Sequence, residues 1–202
     1  MRVGRRTLFS TVVLACLLLL PGRAWACACC SNAGDYHVGS ARPSAYELSI
    51  MGQVRFDGTA HLFLTEADME ESARGLAHQA ERYMLKGALD GRVWRLTFRD
   101  GNKTGTLNLP LPARVTSFTA DINDGQTSAG GGPLLYKEWR IEGPLMGTGV
   151  FKQGAGAGTK FRLVLQGRGN MCTDAADFKT WTLQVFGPRA RYSFYGTVGQ
   201  TR

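Results

Sequence analysis

Histidine is scarce in this chain: His37, His61 and His78 are its three copies. None sits in a His-Glu-x-x-His zinc motif, and no serine lies on a nucleophile elbow with histidine and acid partners in order. No convergent acid and base set can be assembled, so an enzyme is the class the sequence supports least. Long apolar runs are equally rare: residues 8–20 form one that falls short of a membrane-spanning helix, and no other run reaches that length. No segment repeats. Like charges cluster only at 66–71, Glu-Ala-Asp-Met-Glu-Glu, where the acids lack the spacing of a calcium loop and read as solvated. The glycine-rich stretches 128–133 and 154–158 resemble phosphate loops only superficially. The second runs into Thr159-Lys160 and lies between strands, so both read as flexible connections.

What is present begins with an export signal. Arg2, Arg5 and Arg6 form a basic start, Leu8 to Leu20 an apolar stretch too short to span, and Ala24-Trp25-Ala26 a small-x-small cleavage site. Residues 1–26 are therefore expected to be a cleaved signal peptide, with a mature chain from Cys27 in the periplasm or secreted. Arg5-Arg6-Thr7-Leu8-Phe9 is similar to a twin-arginine signal, whereas the leucine-rich run matches general secretion, the favoured route. Cys16 and Cys27 both fit a lipidation site poorly: four leucines follow Cys16, and Cys27 lacks a leucine three residues before it. Cleavage removes four arginines and no acid, lowering the formal charge from +8 to +4. A nucleic-acid role loses its support, and no transmembrane segment is left after cleavage.

The mature chain alternates apolar and polar residues with period two, which predicts strands. Residues 46–56 place Tyr46, Leu48, Ile50, Val54 and Phe56 on one face and predict a long strand. Asp90-Gly91 predicts a two-residue hairpin loop pairing Tyr83 with Phe98, Leu85 with Leu96 and Gly87 with Trp94. A connection over 100–103 sets Leu96 against Leu107 and Trp94 against Leu109. A Pro188-Arg189 turn sets Val185 against Tyr192 and Leu183 against Phe194. Further strands are expected at 59–65, 113–121, 134–142, 146–152 and 159–166. Helix is expected only in short turns, at 66–73 capped by Thr65 and from Asp174 to about Lys179. The fold class is all-β: a meandering antiparallel β-barrel or sandwich of about eight to eleven strands with little helix. The domain plan is a Cys-rich N-terminal arm at 27–44 followed by a single β domain at 45–202.

The cysteines carry the most specific chemistry. Cys27, Cys29 and Cys30 lie within four residues, and Cys172 is the only other mature cysteine. Three soft ligands so close suit Cu(I) or Zn(II), with His37 and Cys172 as distant ligands. An oxidising compartment favours disulfides instead, and Cys29 with Cys172 is the expected pair, leaving Cys27 and Cys30 at CxxC spacing. If Asp57-Gly58 turns tightly, His61 falls on the apolar face. With Trp94, Trp139 and Trp181 it outlines an interior pocket for an apolar small molecule. The sequence thus supports an exported β-domain protein that binds or handles a soft metal or is disulfide-stapled. The alternatives are a ligand-binding barrel and a structural or interaction module.

Overall fold

The computed structural model describes residues 34–56, 58–63, 73–129 and 131–200. The export signal, Cys27, Cys29, Cys30 and all but the last residue of the turn expected at 66–73 lie outside them. No helix among the described residues is long and apolar enough to cross a membrane.

Thirteen strands form one antiparallel sheet among the described residues. In chain order the first six are β1 (Tyr36–Ala41), β2 (Val54–Arg55), β3 (Gly58–Leu62), β4 (Arg82–Asp90), β5 (Val93–Asp100) and β6 (Lys103–Pro110). Then come β7 (Val115–Ala120), β8 (Leu135–Pro144), β9 (Met146–Gly149) and β10 (Lys160–Gly169). The last three are β11 (Phe178–Gly187), β12 (Ala190–Thr197) and β13 (Gly199–Gln200). The excess over eleven comes from β2 and β13, two-residue pieces that pair with each other. Neighbours run β1-β7-β8-β10-β11-β12-β3-β4-β5-β6-β9, so the hydrogen-bond path ends at β1 and β9 and does not close. The chain itself carries the sheet round. β9 continues β8 after Leu145, and a Cβ on Gly143 of β8 would stand 3.4 Å from the Pro110 carbonyl oxygen of β6. The architecture is all-β and barrel-like.

Inward positions of the strands supply one apolar core rich in aromatic rings. Tyr83, Phe98 and Phe194 meet edge to face or tilted at 4.7–6.1 Å, and Phe151 stacks on Tyr192 at 5.9 Å. Such pairs add to the burial of their area. Burial pushes the Tyr192 phenol far above its ordinary value, so it stays neutral inside the core.

Two expectations about local structure are corrected. Residues 46–56 do not form a long strand, for α1 (Ala45–Gln53) occupies most of that stretch. Ser44 caps it: its Oγ accepts from the Glu47 amide at 3.2 Å while the Glu47 carboxylate accepts from the Ser44 amide at 2.8 Å. Ile50 and Met51 are the helix's buried positions, adjacent in sequence as no one-sided strand would have them, and Tyr46 is 58% exposed. The same letters satisfy both periods, and the cap decides between them.

The hairpin at 90 also differs. Its loop is Gly91-Arg92, with Asp90 paired to Val93, so Leu85 faces Phe98 and Gly87 faces Leu96. Gly91 has φ +59°, while Asp90 and Arg92 keep negative φ, the pattern of a type II′ turn with glycine first. Moving the loop by one residue shifts the pairing by two, so every side chain keeps its face. The other two registers are as expected: Leu96 faces Leu107, Trp94 faces Leu109, Val185 faces Tyr192 and Leu183 faces Phe194.

Candidate functional site

Two places on the sheet gather polar chemistry. The first surrounds Cys172, which is disulfide-bonded. The chain's other cysteines lie outside the described residues. Cys172 sits in the loop between β10 and a short 3-10 turn, Ala175–Asp177, and each part of that loop is tied down. Asn170 Oδ1 accepts from the Cys172 amide at 2.8 Å, and Tyr46 of α1 donates its hydroxyl to the Thr173 carbonyl at 2.7 Å. Asp174 caps the turn, accepting from the Ala176 amide at 2.8 Å.

Lys137 is the anchor beneath. On β8 it occupies the inward phase between Leu135 and Trp139 and is 4% exposed. Its Nζ donates to the Cys172 carbonyl and, at 2.6 Å, to Asp177 Oδ2. Burying these charges is costly, and their pairing offsets the cost. Two glycines make room: a Cβ on Gly167 would fall 1.7 Å from the Asp177 carbonyl oxygen, and one on Gly169 would fall 2.1 Å from its carboxylate. The register of β10 on β11 shifts at Gln166/Gly167, where the turn comes close.

The second place is the outer face of β10, β11, β12 and β3. A groove of about 540 Å³ runs over it, bordered by Phe63, Gln166, Thr182, Gln184, Ser193 and Tyr195. No ionised side chain lines it among the described residues. Phe63 and Tyr195 are 52% and 46% exposed. Gly196 leaves room for the buried Trp181 indole beneath the groove, because a Cβ there would stand 2.9 Å from the ring. Gln166 is oriented by donating to the Tyr136 hydroxyl at 3.0 Å, which in turn donates to Glu138 at 2.9 Å. Burial first, and Glu138 second, push the Tyr136 phenol above its ordinary value, so it keeps the proton it donates. A smaller hollow of about 290 Å³ adjoins, sharing Phe63 and Tyr195 and adding His61 and Glu81.

The sequence-derived candidates distribute unevenly over these places. His61 does not face the core. β3 pairs with β4 and β12, not with β2, so Ala60 and Leu62 point inward and His61 points out, stacked on Tyr195 at 5.2 Å. Trp94, Trp139 and Trp181 are buried and do not converge on one pocket. Phe56 packs edge-on against Trp94 and Trp181, while Trp139 packs on Phe178 at 4.5 Å. Trp181 and His61 instead border the outer groove and its smaller neighbour. His37 lies not in a free arm but in β1, exposed and paired opposite Thr119. His78, read as solvated, approaches Asp100 at 2.8 Å. Among the described residues no three His, Cys, Asp or Glu side chains gather as a metal site.

Lys137 was not among the candidates. Its signal is a lone lysine in phase with Leu135, Trp139 and Ile141. Comparison of the chain with protein-family models, with curated proteins and with solved structures returns no match.

Proposed function

We propose that the chain is an exported, disulfide-stapled binding domain that takes an uncharged, hydroxyl-bearing small molecule of the saccharide class in the outer groove. The observation that carries the reading is the groove's composition. Phe63 and Tyr195 offer exposed aromatic faces, Gln184, Thr182 and Ser193 offer uncharged donors and acceptors, and no ionised group competes. Sugar rings present apolar C–H faces ringed by hydroxyls, which match that alternation, while a charged ligand finds no counter-ion. The buried tryptophans favour this face over an interior pocket. Titration with neutral mono- and disaccharides, followed by amide chemical shifts, should move the β11 and β12 signals. Tyr195→Ala and Gln184→Ala should each weaken binding by about tenfold. A panel that leaves those signals unmoved refutes the reading.

The staple rests on the disulfide-bonded state of Cys172. Cys29 is the proposed partner, because a Cys29-Cys30 bridge would close a strained vicinal ring and because this choice leaves Cys27 and Cys30 together. That remaining pair supports a second reading, a soft site for Cu(I) or Zn(II) at the CxxC spacing. Non-reducing peptide mapping identifies the partner of Cys172. Titration of the disulfide-intact protein with Zn(II) and Cu(I) tests the pair, and absence of binding by both ions removes the metal reading.

A further inference from the structure

The sheet also carries a face of opposite character, on the strands that follow the groove. Outward positions of β2, β4 and β5 hold Arg55, Arg82, Lys86, Arg95 and Arg99, with Asp90 the one carboxylate among them. Pairing gathers these charges. Arg55 stands opposite Ala88, Ala88 opposite Arg95, and Lys86 opposite Thr97. The methyl of Ala88 therefore floors a hollow of about 520 Å³ walled by three cations, Arg55, Lys86 and Arg95, against the single carboxylate of Asp90.

Little within the protein balances that charge. Arg95 meets Asp90 only at 3.9 Å, with both side chains mostly exposed. Lys86 and Arg82 have no acidic partner among the described residues. Arg55 is fixed by bonds from its Nη1 to the carbonyls of Gly52 and Val54, which hold its guanidinium at the rim. Unbalanced charge of one sign on one face favours a partner of the other sign.

Apolar side chains stand in the same rows. Met84, 70% exposed, faces Arg99 across β4 and β5. Met146, 57% exposed, pairs with Asn108, whose other neighbour is Arg95. Cations interleaved with exposed apolar side chains hold a protein on an anionic bilayer, the charges attracting and the apolar groups entering the headgroup boundary. A small free anion would occupy the hollow and leave both methionines unused. We infer that this face docks on an anionic lipid surface, with a headgroup phosphate over Ala88 between Arg55, Lys86 and Arg95.

Vesicle flotation tests the docking, using processed protein recovered from exporting cells. The protein should float with vesicles of phosphatidylglycerol and phosphatidylcholine but not with phosphatidylcholine alone, and raised salt should release it. Lys86→Glu with Arg95→Glu should weaken binding by at least about tenfold. Lys160→Glu with Lys179→Glu makes the same change in net charge on β10 and β11 and should leave binding unchanged. Met84→Ser with Met146→Ser should weaken binding without altering its salt dependence. Equal binding to uncharged vesicles, equal loss in the two charge reversals, or full retention by the methionine variant overturns the docking.

Discussion

Lys137 and Asp177 form the contact most sensitive to a single change. Their side chains are 5% and 14% exposed and 2.6 Å apart, so removing either partner strands the other charge beneath the sheet. Lys137→Ala should cost about 3 to 5 kcal/mol in chemical denaturation, since a buried charge without its partner is destabilising on that scale. A loss below about 1 kcal/mol would mean that water reaches the pair. The tryptophans provide a second contrast at this scale. Trp181 Nε1 donates to the Thr197 carbonyl at 3.0 Å, whereas Trp94 Nε1 has no partner among the described residues. Both indoles are buried, so replacement by Phe removes similar area but only one hydrogen bond. Trp181→Phe should therefore be more destabilising than Trp94→Phe by about 1 kcal/mol, and the reverse order in thermal unfolding would refute the assignment.

Elements are decided by caps and turns more than by apolar periodicity. Ser44→Ala removes the acceptor for the Glu47 amide and should cost about 1 kcal/mol, whereas a long strand over the same residues would be indifferent to it. Gly91 sits at φ +59° with open space around the missing Cβ, so Gly91→Ala tests backbone strain without a clash. A destabilisation of about 1 kcal/mol is expected, and none should arise if the side-chain-tolerant half of the turn lay there. Much of the sheet was legible from sequence. The alternations around Leu96, Leu107, Leu183 and Phe194 each specify which face is buried, and tight turns specify the partner. The helix at Ala45–Gln53 was not legible from alternation, because Tyr46, Leu48 and Ile50 serve a strand or a helix, and only the Ser44 to Glu47 cap separates them.

At the scale of the whole molecule, the sheet is clasped at one end and presents two unlike outer faces. The Cys172 loop is held by β8, by α1 and by its own cap before any disulfide contributes. Cys172→Ala should cost about 2 to 5 kcal/mol, the usual range for a native disulfide. The loop should nonetheless keep its place in the sheet, because Lys137 still binds its backbone. Amide exchange at position 172, whose N–H donates to Asn170 Oδ1, measures this: protection that persists in the variant and is lost on adding Lys137→Ala supports a loop set by Lys137, and complete loss in the single variant assigns the positioning to the disulfide. Export is tested separately by amino-terminal sequencing of the exported protein, expected to begin at Cys27.

Sequence alone determined the all-β class, the registers of β5 on β6 and of β11 on β12, and the segregation of apolar from polar faces along those strands, because a period of two and the turn residues act locally. It could not determine which polar side chains of distant strands share a surface. His61 and Tyr195 are 134 residues apart and meet only because β3 pairs with β12. Lys137 reaches Asp177 only because glycines in β10 let the turn approach. These juxtapositions depend on strand order, which short-range patterns leave open and the curling of one sheet round a common core decides.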